Sequence, residues 1–383
     1  MVKLGDVCEV TSSKRIFENE YTLEGIPFYR TKEIVELSKR KAISTNLFIS
    51  LEKYNNIKDK FGVPDVGDVL ISAVGTIGTV WIVPNEKSFY FKDGNILWIK
   101  KSLYFEPQYL QFILKVLVRK NIANLSIGSA YNALTIVKLK NLEVPLPPLD
   151  VQKKIAQTLD VAAELIALRK RQLAELDNLI KATFYDMFGD PVINEKMWSL
   201  DEIGNLGECN SGGTPTRGNP SYFLGDIDWY SAGELNQRYL IQSKEKLTID
   251  AIKNSSAKIF KKRSMLIGMY DTAAFKLGIL TKDSASNQAC ANINVNTNLV
   301  NIEWLYDCAQ IMRPFFLTSR RGIRQKNLNL GMIKRFKIPL PPLTLQNQFA
   351  EIVTKIEEQK ALVQKAIDES QYLFDSLMSE YFE

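Results

Sequence analysis

The chain contains a proline-led stretch at Leu146–Pro191, LPPLDVQKKIAQTLDVAAELIALRKRQLAELDNLIKATFYDMFGDP, and a near-copy at Leu340–Glu383, LPPLTLQNQFAEIVTKIEEQKALVQKAIDESQYLFDSLMSEYFE. Aligning the two double prolines brings Phe188 onto Phe382 without a gap. The chain is therefore two half-chains in tandem, and each half is a variable block that ends in a long helix.

Both copies carry apolar residues at alternating steps of four and three, the narrow seam of a coiled coil. Arg169 and Thr183 interrupt the first seam, and Gln359 and Ser370 interrupt the second. Neither helix can bury its seam alone, so we predict that the two pack on each other as an antiparallel pair, with the variable blocks at opposite ends. A coiled coil between two chains is the alternative. The seams comprise Ile155, Leu159, Ala162, Ile166, Leu173, Leu176, Ile180 and Met187, and then Leu345, Phe349, Ile352, Ile356, Val363, Ala366, Leu373 and Leu377.

At 383 residues the chain has room for two or more domains. Its composition is that of a globular protein, since 45% of the residues are apolar and 24% are charged. There is no apolar run near the length of a membrane span and no signal peptide, so we expect a cytoplasmic protein with no membrane partner. The four cysteines have no CxxC spacing, which predicts reduced thiols and neither a disulfide nor a zinc site.

Charge and histidine content favour binding over catalysis. The net charge of +6, with a pI near 8.9, permits a polyanionic partner. Histidine is absent, which removes the commonest general base and metal ligand. The chain lacks a GK dipeptide, a GxGxxG motif and the Asp/Asn-Pro-Pro-aromatic motif of amino-methyltransferases. Pro64-Asp65 could begin a nuclease site, but Glu86 and Lys87 are adjacent. We therefore predict no catalytic, cofactor-binding or metal-binding residues.

Four segments follow from the repeat: a first domain at 1–149, a central long helix at 150–190, a second domain at 191–343 and a final long helix at 344–383. Short β-type runs alternate with turn signals, so each domain should be mixed α/β. Strands are predicted at 26–29, 69–72, 79–83, 89–91, 96–99 and 265–267, and further helices at 107–120 and 302–312. Helices and ends correspond between the halves and the loops do not, which suggests two similar sites that recognise different things.

The chemistry of these loops is basic and polar. Arg can pair with guanine and Asn or Gln with adenine, while Lys, Ser and Thr mostly hold phosphates. A solvated surface turn is the alternative for any one loop, but loops recur at equivalent places around Gly128 and Gly322. The candidate DNA-binding residues are Ser13, Lys14, Arg15, Arg30, Lys32, Thr76, Ser129, Tyr131, Asn132, Thr214, Thr216, Arg217, Tyr270, Arg320, Arg321, Arg324, Gln325, Lys326 and Asn327.

With these residues in place, the whole chain resembles the specificity subunit of Type I restriction-modification systems. The motifs that carry the resemblance are Ile338–Leu343 and its twin Val144–Leu149, Gln152 and Gln346 after them, Asp186–Pro191, Ser211–Pro215 and Asn327–Asn329. One departure concerns the first domain, which lacks the Ser-Gly-Gly-Thr-Pro loop and has Thr11-Ser12-Ser13-Lys14 instead.

The resemblance implies a non-catalytic subunit that binds double-stranded DNA, with each recognition domain contacting one half of a bipartite, asymmetric target. The helices would set the gap between the half-sites and join two methyltransferase subunits, which use S-adenosylmethionine to methylate adenine. Two restriction subunits that use ATP and magnesium could join them. The outer helix faces should carry the methyltransferase contact, through Glu164, Arg169, Lys170, Arg171, Glu357, Glu358 and Lys360. A stand-alone DNA-binding regulator or architectural protein is the first alternative function, and a self-contained methyltransferase or nuclease, disfavoured by the missing motifs, is the second.

Overall fold

The computed structural model describes residues 1–43, 45–84, 88–125, 133–318 and 327–382. It contains two compact units. Unit 1 comprises residues 1–169 and 366–383, and unit 2 comprises residues 170–365. Each unit holds one mixed α/β domain together with part of each of the two long helices.

Unit 1 is built on two four-stranded sheets. The strands are Val2–Lys3 (β1), Val10–Ser12 (β2), Tyr21–Thr22 (β3), Ile26–Tyr29 (β4), Phe48–Ile49 (β5), Val69–Ser72 (β6), Val80–Ile82 (β7), Tyr90–Phe91 (β8), Ile96–Ile99 (β9) and Glu143–Val144 (β10). The first sheet has the order β2-β9-β6-β7 and is antiparallel, and the second has the order β3-β5-β4-β8, in which β4 and β8 are parallel. The helices are Leu4–Val7 (α1), Thr31–Ser38 (α2), Leu51–Phe61 (α3), Pro107–Leu125 (α4), Ile136–Lys140 (α5) and the start of Leu149–Phe188 (α6).

Unit 2 repeats this plan. Its strands are Ser199–Glu202 (β11), Gly207–Ser211 (β12), Ile227–Tyr230 (β13), Tyr239–Leu240 (β14), Glu245–Leu247 (β15), Ile259–Phe260 (β16), Met265–Gly268 (β17), Leu277–Leu280 (β18), Ser284–Ser286 (β19), Cys290–Val295 (β20) and Lys337–Leu340 (β21). They form a five-stranded sheet, β12-β20-β17-β18-β14, and a four-stranded sheet, β15-β13-β19-β16, in which β13 and β19 are parallel. The helices are Ile249–Lys253 (α7), Ile302–Thr318 (α8), Leu330–Lys334 (α9) and Leu343–Phe382 (α10), whose last residues belong to unit 1.

The predicted mixed α/β fold is confirmed, and strands lie in each predicted run. Helix α8 is longer than the sequence predicts, because it continues through Pro314 to Thr318. Proline normally disfavours a helix interior. Here the turn that follows is held by packing, since the buried Phe316 ring stacks on Phe336 with centroids 4.4 Å apart and contacts Phe275 at 4.9 Å.

The two long helices, each of 40 residues, pack against each other in antiparallel fashion within each unit, as predicted. In unit 2, Lys360 Nζ lies 2.7 Å from Asp177 Oδ1, and further along α6 the Phe184 ring packs on Phe349 at 5.5 Å. In unit 1, Arg169 donates hydrogen bonds to the Ser370 hydroxyl and to a carbonyl of α10. Two of the polar residues that interrupt the seams, Arg169 and Ser370, thus bond across the helix pair.

The seam predicted for α10 is displaced by one residue at two of its eight positions. Phe349 and Ile356 are buried as predicted, but Ile352 is 38% exposed and its neighbour Val353 is fully buried. Leu373 is likewise exposed, and its neighbour Phe374 packs on the core of unit 1. The reason is that α10 packs on the α/β domains as well as on α6, so its apolar face is turned toward both.

A buried glutamine joins each long helix to its domain. Gln152, the fourth residue of α6, accepts the Glu106 N–H at 3.0 Å and donates to the Tyr104 carbonyl at 2.9 Å. Gln346, the fourth residue of α10, accepts the Asn301 N–H at 2.8 Å. Both bonds reach the residue that precedes a domain helix, so the structural repeat extends to how each helix is attached.

Candidate nucleic-acid interface

The predicted site residues of unit 1 lie on loops that meet at one edge of its sheets. We name them loop A (13–15, after β2), loop B (30–32, after β4), loop C (73–78, after β6), loop D (92–95, between β8 and β9) and loop E (133–135, before α5). The Lys92 N–H donates to the Tyr29 carbonyl at 2.9 Å, and the Ala73 N–H to the Asn95 carbonyl at 2.8 Å. The Leu134 N–H donates to the Ala73 carbonyl at 3.0 Å. Backbone hydrogen bonds therefore fix loops B to E relative to one another.

Unit 2 has the same loops in the same arrangement: A′ (212–216), B′ (231–233), C′ (269–272), D′ (287–289) and E′ (327–329). The Asn287 N–H donates to the Tyr230 carbonyl at 3.0 Å, and the Met269 N–H to the Ala289 carbonyl at 2.8 Å. The Leu328 N–H donates to the Met269 carbonyl at 2.8 Å. These bonds match those of unit 1 one for one, although the side chains on the loops differ.

Loop A carries three of the predicted residues in different environments. The Arg15 side chain is 69% exposed, and its Nε donates to Asp93 Oδ2 of loop D at 2.9 Å. Lys14 is exposed, with Nζ 4.4 Å from the centre of the Phe61 ring. Ser13 is buried, and within the described residues its hydroxyl has no hydrogen-bond partner.

The predicted residues of loops B and C surround the start of α2. The Glu33 carboxyl accepts hydrogen bonds from the Arg30 backbone N–H at 2.8 Å and from Arg30 Nη2 at 2.9 Å. Burial would raise the pKa of this carboxyl, but the bonds from Arg30 hold the pKa below its usual value. Lys32 is exposed, with Nζ 3.8 Å from Glu36. Thr76 is exposed in loop C beside Gly75, whose φ of 72° suits glycine. Arg30, Lys32 and Thr76 therefore lie at the loop edge, with Arg30 already paired.

In loop A′ and directly after it, the predicted residues separate into two groups. The Thr214 hydroxyl donates to Gln288 Oε1 of loop D′. Thr216 is exposed and accepts the Gly218 N–H at 3.4 Å. Arg217 is turned away from loop D′, since Nη2 lies 2.9 Å from Glu245 Oε2. Arg217 also lies over two rings, at 4.4 Å from the Phe223 ring centre and 5.2 Å from the Trp229 ring centre.

Loops C′ and E′ bring Tyr270 and Asn327 together. Tyr270 is exposed and precedes a short 3₁₀ turn, Asp271–Ala273. Asn327 Oδ1 accepts the Asp271 N–H at 2.9 Å. The φ of Asp271 is 47°, a value that is uncommon outside glycine. The remaining predicted residues, Ser129, Tyr131, Asn132, Arg320, Arg321, Arg324, Gln325 and Lys326, lie outside the described residues.

Sequence reasoning missed Asp93 and Gln288, the loop D residues that contact loop A. It also missed a repeated motif that marks loop B. Tyr29 is followed four positions later by Glu33, and Tyr230 by Glu234. Each glutamate caps its own turn, because Glu234 Oε2 accepts the Ser231 N–H at 2.9 Å as Glu33 does with Arg30. Aligning these tyrosines would have located loops B and B′ from sequence.

A buried ionic network in unit 2 was also not predicted. Arg238 donates to Asp307 at 2.6 Å and to Glu357 of α10 at 3.2 Å, with Glu303 at 3.5 Å. Burial raises the pKa of Asp307 to about 6, although Arg238 opposes this shift. Glu357 and Lys360 therefore face the domain and the helix pair rather than outward. Arg169 also faces the helix pair, because it bonds Ser370. The prediction that these three residues lie on the outer helix faces is thus wrong. Glu164, Lys170, Arg171 and Glu358 are exposed.

Within the described ranges, no three His, Cys, Asp or Glu side chains are placed to hold a metal ion. Over the same residues, every helix is too short or too polar to cross a membrane. Each of the four cysteines is buried and unpaired.

The chain therefore holds two copies of one α/β scaffold, which present matching loops with different side chains. The chain belongs to a known family: the family model described as Type I restriction modification DNA specificity domain matches residues 1–178 and 195–370. The specificity-subunit resemblance seen in the sequence is thereby confirmed.

Individual relatives agree. A protein of Methanocaldococcus jannaschii, provisionally named the type I restriction enzyme MjaX specificity subunit, is 25% identical over 382 residues, covering 93% of this chain and 86% of that protein. A protein of Haemophilus influenzae, provisionally named specificity subunit S.HindORF215P, is 36% identical over 162 residues, which cover 42% of this chain and 39% of the relative. The fold is that of the S subunit of a type I system from M. genitalium, with a TM-score of 0.60, 14% identity and coverage of 100% of this chain and 95% of that one.

Proposed function

We propose that this chain gives sequence specificity to a Type I restriction-modification enzyme and catalyses no reaction itself. Each α/β domain would bind one half of a bipartite, asymmetric target in double-stranded DNA. The observation that carries the proposal is the pair of matched loop sets, A to E and A′ to E′, held by equivalent backbone hydrogen bonds but carrying different side chains. One scaffold with two sets of polar groups suits the recognition of two different sequences.

The helices would dock the methyltransferase. On α6, Val161, Leu165 and Leu168 are exposed at spacings of four and three, so they form an apolar stripe on one face. Leu362, Tyr372 and Leu373 are exposed on α10. We propose that helices of two methyltransferase subunits cover these faces and that two restriction subunits can join through them. S-adenosylmethionine would then bind the methyltransferase, and ATP and magnesium the restriction subunits.

The helices would also set the gap between the half-sites. Both are continuous between the segments assigned to unit 1 and unit 2, and an α-helix is a stiff connection. An insertion of four residues, about one turn, in both helices would keep the facing side chains roughly in register. We expect the gap in the target to change and both half-site sequences to remain the same. A changed half-site would contradict this role.

The deciding experiment is a methylation map of DNA from cells that express the methyltransferase partner with and without this chain. A bipartite adenine-methylation motif that depends on the chain is the expected result. A second version, with residues 191–343 exchanged for another such domain, should alter one half of the motif and leave the other unchanged. If an active, soluble methyltransferase gives no chain-dependent motif, the stand-alone DNA-binding regulator becomes the better account.

A further inference from the structure

Loops A and D contact each other through one side-chain pair in each unit, and the two pairs occupy equivalent positions. Arg15 lies three residues after the end of β2, and Thr214 lies three residues after the end of β12. Asp93 lies two residues after the end of β8, and Gln288 two residues after the end of β19. Unit 1 therefore holds an Arg-Asp pair where unit 2 holds a Thr-Gln pair.

In unit 2 the backbone holds this pair rigidly. The Gly213 N–H donates to the Ser286 carbonyl at 2.9 Å. A Cβ at Gly212 would lie 2.3 Å from the Asn287 carbonyl oxygen, and a Cβ at Gly213 would lie 2.2 Å from the Ser256 carbonyl oxygen. Only glycine permits these approaches, so Gly212 seats loop A′ on the start of loop D′, and Gly213 lets the loop pass the Ser256 carbonyl. Thr214 is thereby fixed beside loop D′.

The pairing leaves the recognition groups of both long side chains available. Gln288 is exposed, and the Thr214 hydroxyl engages only its Oε1, which retains a second lone pair. In the described part of the chain, the Gln288 Nε2 has no hydrogen-bond partner. Arg15 uses Nε to bond Asp93, whose side chain is only 18% exposed. Its two Nη groups have no acceptor among the described residues. Each side chain is therefore oriented without being saturated.

We infer that these pairs determine the base sequence that each domain recognises: Arg15, oriented by Asp93, pairs with a guanine, and Gln288, oriented by Thr214, pairs with an adenine. The inference rests on the proposed function. Arg donates through two N–H groups to guanine O6 and N7, and Gln donates to adenine N7 while accepting from N6. The Arg15 side chain is 69% exposed, and ion pairs that solvent reaches contribute little to folding, so stability alone does not account for this Arg-Asp pair.

The test is the methylation map of the assembled methyltransferase with Gln288→Ala and Gln288→Glu. Gln288→Ala should relax one A·T pair in one half-site, with discrimination there falling about ten- to a hundredfold, while the other half-site is unchanged. Gln288→Glu should shift that position toward cytosine, whose N4 amino group a carboxylate accepts. A shifted preference can come only from a folded protein, so this variant separates recognition from loss of structure. Gln242→Ala, an exposed glutamine outside the loops, is the matched control.

Arg15→Ala provides the same test in the first domain and should relax one G·C pair in the other half-site. An unchanged motif in both Gln288 variants and in Arg15→Ala would overturn the inference and leave the proposed function intact. A wild-type chain that directs no bipartite methylation would instead overturn the proposed function. Relaxation at both half-sites by a single variant would also refute the assignment, because each pair would then act on overall affinity and not on one base.

Discussion

Replacing Gln346 with leucine should destabilise unit 2 through backbone groups left without partners. Gln346 is fully buried, accepts the Asn301 N–H at 2.8 Å and donates to the Pro341 carbonyl at 2.8 Å. Its third bond, to the Leu299 carbonyl at 3.3 Å, counts for less because Leu299 is 44% exposed and water can replace the amide. Two orphaned groups at about 1–3 kcal/mol each predict a loss of about 2–6 kcal/mol.

Urea denaturation of the full chain, followed by circular dichroism, measures this loss. With a slope of about 3 kcal/mol per molar urea, the midpoint of the unit 2 transition should fall by about 0.7–2 M. Gln348→Leu, at an exposed site on the same helix, is the control and should leave the midpoint unchanged. Gln152→Leu should produce a similar loss in unit 1, where the same bonds occur. A Gln346→Leu midpoint within about 0.2 M of wild type would refute the reasoning.

Other variants test separate features. Arg238→Met leaves the carboxylate of Asp307 buried without its charge partner and should cost about 3–5 kcal/mol at pH 8. The loss should be smaller at pH 5. The native pKa of Asp307, about 6, exceeds the usual 3.8, so protonation of this carboxyl favours the fold as pH falls below 6. Urea midpoints at both pH values measure the difference. Gly213→Ala should lower thermal stability by several degrees, since its Cβ would meet the Ser256 carbonyl; a scan unchanged from wild type would show that loop A′ can move. Leu165→Glu should weaken co-purification with the methyltransferase at least tenfold and leave the melting temperature unchanged.

The fold was largely predictable because its signals are local or repeated. A double proline and a seam of apolar residues define both long helices, and the gapless alignment of the two copies shows that they are equivalent. The exact buried face of α10 was not predictable. Ile352 and Val353 are both apolar, and the choice between them depends on the domain surface against which α10 packs. The length of α8 depends in the same way on the aromatic packing around Phe316.

For the candidate interface, the sequence predicted loops but not partners. Polar and basic residues mark loops A, B and C, and Arg15 and Thr214 were identified as candidates from their chemistry alone. Their partners lie 78 and 74 positions away, on a loop that carries no motif of its own. Only the strand pairing that places loop D beside loop A reveals that Asp93 and Gln288 belong to the same groups.

A single residue explains why the two domains differ in loop A. Tyr90 in β8 pairs with Phe28 of β4, and Ala285 in β19 pairs with Trp229 of β13. Tyr90 and Ala285 therefore occupy equivalent positions in the two domains. The Lys14 N–H donates to the Tyr90 hydroxyl at 2.7 Å, so a tyrosine ring stands between loop A and the strand and leaves space for side chains at positions 13 and 14. Alanine cannot reach loop A′. The backbone of that loop bonds directly to the strand instead, which requires glycine at 212, while glycine at 213 avoids the Ser256 carbonyl. We expect a loop seated on the strand to need only a short side chain at Thr214 to orient Gln288, whereas the raised loop suits a long arginine. The absent Ser-Gly-Gly-Thr-Pro motif in the first domain therefore follows from the strand residue beneath the loop, and the same difference accounts for the different chemistry of the two pairs.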